Sequence, residues 1–486
     1  MPLPPIRLTN SLSGRLEPLT TATPGRVSMY VCGVTVYDHC HLGHAMSAVC
    51  FDAIRRYLEY RGYLVDYICN FTDVDDKIIR RAEAEKSGWL EVAERYIASY
   101  LDDMDRLNVK RATLYPRATA HIPEMLALIQ RLVDNGTAYP VDGDVYYDVS
   151  KFAGYGKLSG RKVEELLAGA RVEADARLRH PADFALWKSS KPGEPSWDSP
   201  WGPGRPGWHI ECSAMSTRYL GDTFDIHGGG LDLVFPHHEN EIAQAEAATG
   251  KPFATHWMHN GILNLGGAKM SKSIGNVLGL KLLFEKHPAD ALRHYILGSH
   301  YRSPQNYEEG ALDKAQRAHA HFDNVFERLD RSLAAGPAAS GIDPGEAMSA
   351  AVVRATAKFH DCMSEDFNTA GALGALFELA GDLNSALQEV ETKGLAENAA
   401  APAARARAAL AELLGVLGFR TGQPRQRAET QGASELTGKL VQLLVDLRLE
   451  ARKSKNFTLA DGIRQKLSEL GVELKDTAGG TTFKLP

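Results

Sequence analysis

The sequence predicts an α/β protein in which a parallel sheet, split by an insertion, is followed by an all-α helical bundle and a small C-terminal domain. Three observations predict this architecture. Residues 27–32 and 63–71 are strand-like runs joined by an amphipathic helix, which together form a βαβ unit. Further strand-like runs follow at residues 223–227 and 255–259. After Ser273 the apolar residues recur at helical spacing almost to the end of the chain.

Length and composition bound the class of protein. A chain of 486 residues is too long for one compact core, so we expect two to four domains. Hydrophobic residues make up 44% and charged residues 24%, which is ordinary for a soluble globular protein. Neither a signal-like N-terminus nor a long apolar stretch occurs, so we expect a cytoplasmic protein without a membrane partner. The six cysteines are widely spaced, which favours reduced thiols or metal ligands over disulfides.

The helix between the first two strands has an apolar stripe and ends near Gly62, a typical C-terminal cap. The stripe consists of Ala45, Val49, Ala53, Ile54, Tyr57 and Leu58. Such a βαβ unit opens a Rossmann-like nucleotide-binding sheet. Because it contains no G-x-G-x-x-G or Walker A sequence, both dinucleotide enzymes and P-loop ATPases are disfavoured.

The middle of the chain predicts an insertion and then the second half of the sheet. Residues 113–206 contain a helix and a strand before becoming rich in Pro, Gly and Trp. The second half should contain a turn at residues 228–230 and a helix at residues 237–249 between its two strands. We expect residues 1–25 to run over the surface and the alanine-rich residues 398–409 to form a loop.

Two short motifs carry the predicted chemistry. His41-Leu42-Gly43-His44 opens the first helix, and Lys269-Met270-Ser271-Lys272-Ser273 follows far downstream. Helix N-terminal amides favour anions, and imidazoles there can donate hydrogen bonds to phosphate oxygens. Lysine ammonium groups stabilise charge that develops during nucleotidyl transfer. Either motif alone is typical of ordinary surface residues, but together they predict an adenylate-forming enzyme.

A third set of residues is suited to a metal ion. His237 and Glu241 are four residues apart on a predicted helix, so their side chains lie on one face. Cys32 ends the first strand and Cys212 begins a short helix, and a sheet that joins the first and fourth strands would bring both thiols to that pair. Two thiolates, an imidazole and a carboxylate suit tetrahedral Zn²⁺. Separated cysteines are, however, more often small buried hydrophobic residues.

The remaining histidines and cysteines are predicted to have other roles. His238 is adjacent to His237 and must face another side of the helix, so we expect it to be structural or to lie towards the nucleotide. The other four cysteines are interpreted as packed or surface thiols: Cys40, Cys50, Cys69 and Cys362.

The two motifs resemble the signature pair of class I aminoacyl-tRNA synthetases, and the flanking residues resemble the cysteinyl-tRNA synthetases along almost the whole chain. The departures are small: Leu42, Val34 and Gly267-Ala268 stand where Ile, Pro and an acidic residue are usual. The resemblance implies that one zinc ion per chain is bound by Cys32, Cys212, His237 and Glu241. It implies catalytic roles for His41, His44, Lys269 and Lys272. It also implies an amino-acid pocket of Tyr30, Thr72, Trp208 and His227, and an ATP site that adds Gly229, Asp232 and Ser271 to the catalytic residues.

The implied reaction is ATP-dependent activation of L-cysteine to cysteinyl-adenylate, with Mg²⁺ on the ATP, and transfer of cysteine to the 3′ end of tRNA(Cys). A zinc ion would select cysteine because a thiol loses its proton and binds zinc more readily than a serine hydroxyl does. Such a site should need no hydrolytic editing, and the insertion is too small for an editing domain. The same resemblance leads us to expect a monomer.

The resemblance also gives each predicted domain a role. The catalytic domain has its first half at residues 1–112 and its second half at residues 207–262, separated by the connective insertion at residues 113–206. The remaining segments are a lysine-loop and stem-contact region at 263–310, a helical anticodon-binding domain at 311–420, a linker at 421–435 and a small tRNA-binding domain at 436–486. In the last of these, the basic cluster Arg448, Arg452, Lys453 and Lys455 is either a solvated helix face or an RNA contact.

Two rival interpretations differ in function. A cysteine ligase that joins activated cysteine to an amino sugar, as in mycothiol synthesis, would share the chemistry but generally lacks the C-terminal module that is present here. A non-catalytic RNA- or zinc-binding protein would have no reason to keep His41, His44, Lys269 and Lys272. Exchange of pyrophosphate into ATP, followed by a charging assay, separates these possibilities.

Overall fold

The computed structural model describes residues 3–162, 177–265, 268–269, 278–421, 431–454, 456–470, 472–477 and 480–484. The chain divides into two compact units, Met1–Gly422 and Gln423–Pro486. Ser271 and Lys272 of the predicted lysine motif lie outside the described residues, as does the side chain of Lys269. Most of the predicted linker at 421–435 also lies outside them.

The first unit contains both helices and strands. Its strands are β1 (Arg7–Asn10), β2 (Arg15–Pro18), β3 (Arg26–Thr35), β4 (Leu64–Thr72), β5 (Ala138–Val141), β6 (Asp144–Tyr147), β7 (Phe184–Ser189), β8 (Gly204–Pro206), β9 (Phe224–Gly230), β10 (Ala254–Asn260), β11 (Leu263–Leu265), β12 (Ala268–Lys269), β13 (Gln305–Tyr307) and β14 (Pro337–Ile342). Its α-helices are α1 (Leu42–Tyr60), α2 (Asp76–Glu85), α3 (Trp89–Arg106), α4 (Ile122–Asp134), α5 (Trp208–Leu220), α6 (Glu239–Thr249), α7 (Leu280–Lys286), α8 (Ala289–Leu297), α9 (Ala311–Ala334), α10 (Gly345–Ser364), α11 (Thr369–Lys393) and α12 (Glu397–Val416).

A four-stranded parallel sheet forms the centre of the first unit, in the order β10-β9-β3-β4. The predicted βαβ unit is therefore confirmed, with α1 joining β3 to β4. All six residues of the predicted apolar stripe on α1 are buried in the core. Between β4 and β9, the insertion forms a separate antiparallel sheet in the order β5-β6-β7-β8. The predicted split of the parallel sheet is thus also confirmed.

The N-terminal segment differs from the prediction that residues 1–25 run over the surface. Here β1 and β2 form an antiparallel hairpin, and Leu8 is fully buried. The Asn10 carboxamide oxygen accepts the backbone N–H of Trp257 at 3.0 Å, and Ser11 N–H donates to the Trp257 carbonyl at 2.8 Å. These contacts join the hairpin to β10. Sequence pattern missed them because the partners are far apart in the chain.

The three glycines at residues 228–230 do not form the predicted turn but continue β9 to its end. Close packing explains why these positions are glycine, because a Cβ atom at Gly228 would collide with the ring of Phe51 on α1. A Cβ atom at Gly229 would lie 2.8 Å from Cε1 of His238. These glycines therefore permit close approach and do not indicate a chain reversal.

The alanine-rich residues 398–409 are helical, contrary to the predicted loop, and belong to α12. Alanine has the highest helix propensity of the amino acids, so a run of alanines favours a helix even without large apolar side chains. The residues Ala399, Ala403, Ala406 and Leu410 recur every three or four positions and are fully buried. This face packs into the helical bundle.

The helical bundle consists mainly of α9 to α12. Seven apolar residues between 312 and 333 recur at helical spacing, which predicts a bundle core. On α9 six of them are buried and Leu333 is half-buried, which confirms this prediction. The six are Leu312, Ala315, Phe322, Val325, Phe326 and Leu329. The sequence also predicts that Asp290-Ala291-Leu292-Arg293 begins a helix, and these residues lie in the first turns of α8, which packs against α9.

The second unit contains α13 (Gln431–Lys453), α14 (Phe457–Glu469) and a hairpin of β15 (Glu473–Thr477) and β16 (Gly480–Lys484). The prediction of helix almost to the end is therefore corrected by this hairpin. Arg448 is buried, so it cannot belong to a solvated basic face, whereas Arg452 and Lys453 are exposed. Lys455 lies outside the described residues. None of the helices described in either unit is long and apolar enough to cross a membrane.

The N-terminal hairpin is tied to the bundle by Asp366, which accepts the backbone N–H and the hydroxyl of Thr9, each at 2.7 Å. Tyr301 donates to the same carboxylate at 2.9 Å. Asp366→Asn should lower the free energy of unfolding by about 2 kcal/mol, because the amide group of asparagine cannot accept all three bonds at a buried position. Urea unfolding followed by circular dichroism measures the change.

The matched control is Asp382→Asn, because Asp382 forms an exposed ion pair with Arg354. Such pairs contribute about 0–1 kcal/mol, so the control should unfold at nearly the parent urea concentration. Equal midpoints for both variants would contradict a stabilising role for the Asp366 bonds.

Candidate active site and metal centre

The start of α1 is organised by His41 and His44. His41 is the N-cap residue, and its Nδ1 atom accepts the backbone N–H of His44 at 3.4 Å. His44 Nδ1 in turn accepts the backbone N–H of His41 at 3.3 Å, and the two rings stack with their centroids 3.7 Å apart. This reciprocal capping fixes both imidazoles at the positive end of a helix, where phosphate binds favourably.

Residues shortly after the lysine motif are bound to the same end of α1. Leu42 N–H donates to the Leu278 carbonyl at 2.9 Å, and Leu280 N–H donates to the Cys40 carbonyl at 2.9 Å. At the start of the motif, the backbone of Lys269 belongs to β12, which pairs with β11. The described residues that follow the lysine motif, Leu278 and Leu280, therefore lie at the start of α1.

The four predicted metal ligands come together at one place. Cys32 on β3, Cys212 on α5, and His237 and Glu241 around the start of α6 each present a ligand atom, all within 4.8 Å of one another. The Cys32 and Cys212 sulfurs are 3.6 Å apart, and the Cys32 thiol donates to Glu241 Oε1 at 3.3 Å. His237 Nε2 lies 3.0 Å from the same oxygen. Soft and borderline donors at this spacing fit a small divalent ion such as Zn²⁺.

Local features of the sequence position these ligands. Cys32 is in the interior of β3 and not at its end, beside a bulge where the register with β4 shifts between Val31 and Val34. Gly33 permits the bulge, because a Cβ atom there would collide with the Asn70 carbonyl. The Asn70 carboxamide oxygen accepts the Gly33 N–H at 2.9 Å and lies 3.7 Å from the Cys212 sulfur. The prediction that Cys212 begins a short helix is wrong. Cys212 lies just after the first turn of α5, which has 13 residues.

The charges in the cluster are strongly coupled. Burial would raise the pKa of the Cys212 thiol, but hydrogen bonds from Cys32 and His237 outweigh this effect and lower its pKa to about 6. Burial disfavours the His237 imidazolium, yet Glu241 and Cys212 raise the pKa of His237 to about 10. Despite its burial, the pKa of Glu241 is held well below its ordinary value by His227 and His237. Cys212 and Glu241 thus favour their anionic forms, which bind cations, whereas burial raises the pKa of the Cys32 thiol well above its ordinary value.

Three predicted pocket residues adjoin the cluster. The Trp208 ring stacks on His237 with centroids 4.1 Å apart and is about one-third exposed, at 38%. His227 Nε2 lies 2.9 Å from Glu241 Oε2. Tyr30 is fully buried, and its ring lies 5.5 Å from that of His227. Cys32 is half-buried as a residue, but all four ligand groups of the cluster are buried, and Trp208 is an exposed side chain that contacts the cluster.

Thr72 lies at the end of β4 and binds a residue that the sequence did not indicate. Its hydroxyl donates to Glu211 Oε2 at 2.6 Å. Burial raises the pKa of Glu211 well above its ordinary value, although the hydrogen bond from Thr72 opposes this shift. Glu211 is adjacent to Cys212, so Thr72 also steadies the first turn of α5.

His238 belongs to a buried chain of polar groups. Its Nδ1 atom lies 2.8 Å from His259 Nε2, and His259 Nδ1 lies 2.8 Å from the Ser11 hydroxyl. This arrangement agrees with the predicted structural role. However, the ligand atoms of Cys32, His227, His238 and Glu241 also lie within 4.8 Å of one another, which makes a second, overlapping donor set. Sequence spacing did not indicate that set.

The two predicted adenosine residues occupy different environments. Gly229 lies in β9 with its Cα against the His238 ring, where a side chain would not fit. Asp232 follows in a short 3₁₀ turn, Leu231–Leu233, and is exposed. Both residues lie at the carboxyl end of β9, where sheets of this type bind ligands.

Several residues of the site were not predicted from the sequence. They are Asn70, Glu211, Trp257, His259 and Ser11. Trp257 stacks on His227 with centroids 4.3 Å apart, and His209 Nδ1 lies 2.9 Å from His237 Nδ1. Asn70 could have been suspected, because a polar residue in a buried strand next to Thr72 needs a partner. The others offered no local signal.

Comparisons with known proteins identify the family of the chain. The family described as tRNA synthetases class I (C) catalytic domain matches residues 18–317, and the DALR domain matches residues 358–421. The chain is 49% identical over 485 residues to a cysteine–tRNA ligase of Geobacter metallireducens, covering 99% of both chains. It is 46% identical over 488 residues to a cysteine–tRNA ligase of Aquifex aeolicus, again covering 99% of both.

A solved structure shows the same fold. The chain is similar to Mycobacterium tuberculosis methionyl-tRNA synthetase in complex with methionyl-adenylate, with a TM-score of 0.58 and 17% identity. The similarity covers 81% of this chain and 89% of that one. Because relatives of high identity align over nearly its whole length, the chain belongs to the cysteine–tRNA ligase family of class I aminoacyl-tRNA synthetases.

Proposed function

We propose that the chain activates L-cysteine with Mg-ATP and transfers it to the 3′ end of tRNA(Cys). The observation that carries this proposal is the buried donor set of Cys32, Cys212, His237 and Glu241, on whose His237 ring the partly exposed Trp208 stacks. A Zn²⁺ ion held by thiolate and imidazole ligands would suit a substrate with a thiol. The full-length similarity to cysteine–tRNA ligases supports the same substrate.

In the first step the carboxylate of cysteine attacks the α-phosphorus of ATP, so the bond to pyrophosphate breaks and cysteinyl-adenylate forms. No side chain acts as a nucleophile. His41 and His44 hold phosphate oxygens at the start of α1, where their rings and the helix amides are already oriented. Lys269 and Lys272, with Ser271, bind the leaving pyrophosphate and stabilise its charge.

The amino-acid site is formed by the residues around the donor set. A Zn²⁺ ion held by the four ligands would bind a cysteine thiolate in preference to a serine hydroxyl. Trp208 stacks on His237 and is partly exposed, while Tyr30 and His227 enclose the site from within. Thr72 holds α5 in place through Glu211. Gly229 and Asp232 lie on the side of the adenosine.

In the second step a ribose hydroxyl of the tRNA 3′ end attacks the carbonyl carbon of the adenylate, and AMP leaves. We assign the helical domain at residues 311–420 to anticodon binding and the C-terminal domain at residues 436–486 to further tRNA contact. We assign residues 1–112 and 207–262 to the two halves of the catalytic domain, 113–206 to the connective insertion, 263–310 to the lysine-loop and stem-contact region, and 421–435 to the linker. A monomer acting in the cytoplasm is the simplest form of this proposal, because each chain carries one complete set of site residues.

The direct test is cysteine-dependent exchange of pyrophosphate into ATP, with serine in parallel, zinc content measured on the same sample and tRNA charging measured afterwards. We expect exchange with cysteine but not serine, about one zinc ion per chain, and charging of tRNA(Cys). Exchange without charging would instead identify the amino-sugar ligase, provided that an amino sugar accepts the cysteine. A folded, zinc-loaded protein without exchange would overturn the enzymatic assignment.

Cys212→Ser should lower zinc affinity by at least about 100-fold and weaken cysteine binding with it, because a serine hydroxyl stays protonated and is a poor zinc ligand. Metal analysis and the cysteine KM in the exchange assay measure both effects. The matched control is Cys50→Ser, a similarly buried thiol on α1 outside the donor set. Retention of zinc by Cys212→Ser would remove that residue from the ligand set.

Lys272→Ala should lower the exchange rate by about 10²–10³-fold, because charge on the leaving pyrophosphate would lose its ammonium partner. Zinc content should stay at the parent level, which separates this defect from that of Cys212→Ser. Lys314→Ala on the exposed side of α9 is the matched control. Parent-like turnover of Lys272→Ala would contradict its catalytic assignment.

A further inference from the structure

Arg293 is a fully buried arginine that joins separate parts of the first unit. It lies on α8, and its Nε atom donates to the Leu417 carbonyl at the end of α12 at 2.6 Å. One terminal nitrogen donates to the Leu107 carbonyl after α3 at 2.8 Å, and the other donates to Asp52 on α1. A single guanidinium group therefore binds α1, the end of α3 and the end of the helical bundle.

The partner carboxylate is equally well defined. Asp52 is buried and accepts Arg56 Nε at 2.8 Å and the backbone N–H of Lys110 at 2.9 Å. Burial alone would raise its pKa, but Arg293 and Arg56 hold the pKa of Asp52 below its ordinary value. Asp52 is therefore ionised at neutral pH, and the contact is a charged, multiply hydrogen-bonded pair.

The end of α12 is shaped around this guanidinium. Gly418 has a φ of +77°, and a Cβ atom there would collide with the terminal nitrogen of Arg293. The Gly418 carbonyl accepts the Asn108 side-chain amide at 2.7 Å, and the Asn108 carbonyl accepts Arg56 at 2.6 Å. These bonds close a ring of contacts that runs from the bundle to the loop after α3 and then to α1.

Helix α1 connects this junction to the site of activation. Helix α1 has His41 as its N-cap and His44 in its first turn. Its apolar face is packed in the core with the sheet, and Asp52 lies about halfway along the helix. Nearer its end, Tyr57 hydrogen-bonds the Ser364 hydroxyl of α10 at 2.7 Å, and Tyr60 donates to Glu412 of α12 at 2.8 Å. The bundle is thus attached to the same helix that holds the phosphate-binding end.

We propose that Arg293 is a positioning residue that fixes the orientation of the helical bundle on the catalytic sheet, so that a tRNA bound to the bundle presents its 3′ end to the adenylate. The proposal rests on the proposed aminoacylation function. It assigns Arg293 and Asp52 to the transfer step and not to adenylate formation, since α1 is held against the sheet by its own apolar face.

The hydrogen bonds of Arg293 are better suited to fixing the orientation of the bundle than to stabilising its association with α1. Apolar packing between α1 and the bundle stabilises their association but tolerates small shifts when the side chains repack. A planar guanidinium presents its N–H donors in a rigid fork, and here each of its three nitrogens is bound to a different chain segment, which fixes those segments relative to one another. Lysine at this position would keep the positive charge but could not make all three bonds in these directions.

The test compares Arg293→Lys with the parent in two assays on the full chain. Cysteine-dependent pyrophosphate exchange should stay within about threefold of the parent, because it needs only the catalytic domain. The kcat of tRNA charging should fall by about 10- to 100-fold, as expected for a misaligned acceptor end. The KM for tRNA should change by less than about threefold, because the surface of the bundle is unaltered.

Arg328→Lys is the matched control. Arg328 binds Glu391 at 2.8 Å and the Asn384 side chain at 2.6 Å, so its contacts stay between α9 and α11 of the bundle. It should leave the ratio of charging to exchange at the parent value. Gly418→Ala is the second test variant, since it displaces the Arg293 guanidinium without changing its charge, and it should reproduce the low ratio.

The outcomes separate the positioning role from the alternatives. A selective loss of charging in Arg293→Lys or Gly418→Ala, at a temperature where thermal melting shows the variant to be folded, supports the proposal. An equal loss of charging and exchange, or no loss of either, overturns it. If Arg293→Lys does not fold, Gly418→Ala decides alone. Failure of the parent chain itself to exchange or charge would instead refute the proposed function.

Discussion

The burial of several ionisable donor groups in one small space is the constraint on which the candidate site depends. An isolated buried charge costs several kcal/mol, so each of these groups needs a partner. Glu241 meets this need by accepting from His227, His237 and Cys32, and the thiols lie against each other. The β3 bulge, the first turn of α5 and the start of α6 all serve to bring these atoms together. A cation in the same space would replace several of these compensating contacts at once.

The recognition end and the phosphate end of the site are joined by a very short stretch of chain. Cys32 and His41 are nine residues apart, on β3 and at the cap of α1. Between them the chain leaves the sheet and enters the helix, so side-chain recognition and phosphate binding are fixed by one βα connection. The residues after the lysine motif bind this same connection at Cys40 and Leu42. Activation therefore depends on local geometry that a few neighbouring residues define.

A feature could be predicted from the sequence when neighbouring residues in the chain determine it, and was missed when it depends on distant residues. The βαβ unit, the apolar stripe of α1 and the pairing of His237 with Glu241 depend on spacing within one element, and all three were found. The role of the glycines at 228–230 could not be found, because it depends on Phe51 of a distant helix. The helix at 397–416 was missed when an alanine-rich composition was interpreted as a loop against its high helix propensity. The contacts of His259 with His238 and Ser11 had no signal in the sequence.

The donor cluster and the Arg293–Asp52 contact, both buried in the first unit, also differ in how far the sequence indicates them. The donor cluster could be inferred because His237 and Glu241 mark it within one helical turn. The Arg293 to Asp52 contact joins residues 241 positions apart, and neither residue has a local pattern that indicates burial. Both sites incur a desolvation cost that apolar residues would avoid. In the cluster this cost is compatible with binding a ligand, whereas each of the three guanidinium nitrogens of Arg293 already donates to a protein oxygen. A buried charge whose bonding capacity is satisfied within the protein is suited to fixing geometry, which is why we assign the first site to recognition and the second to orientation.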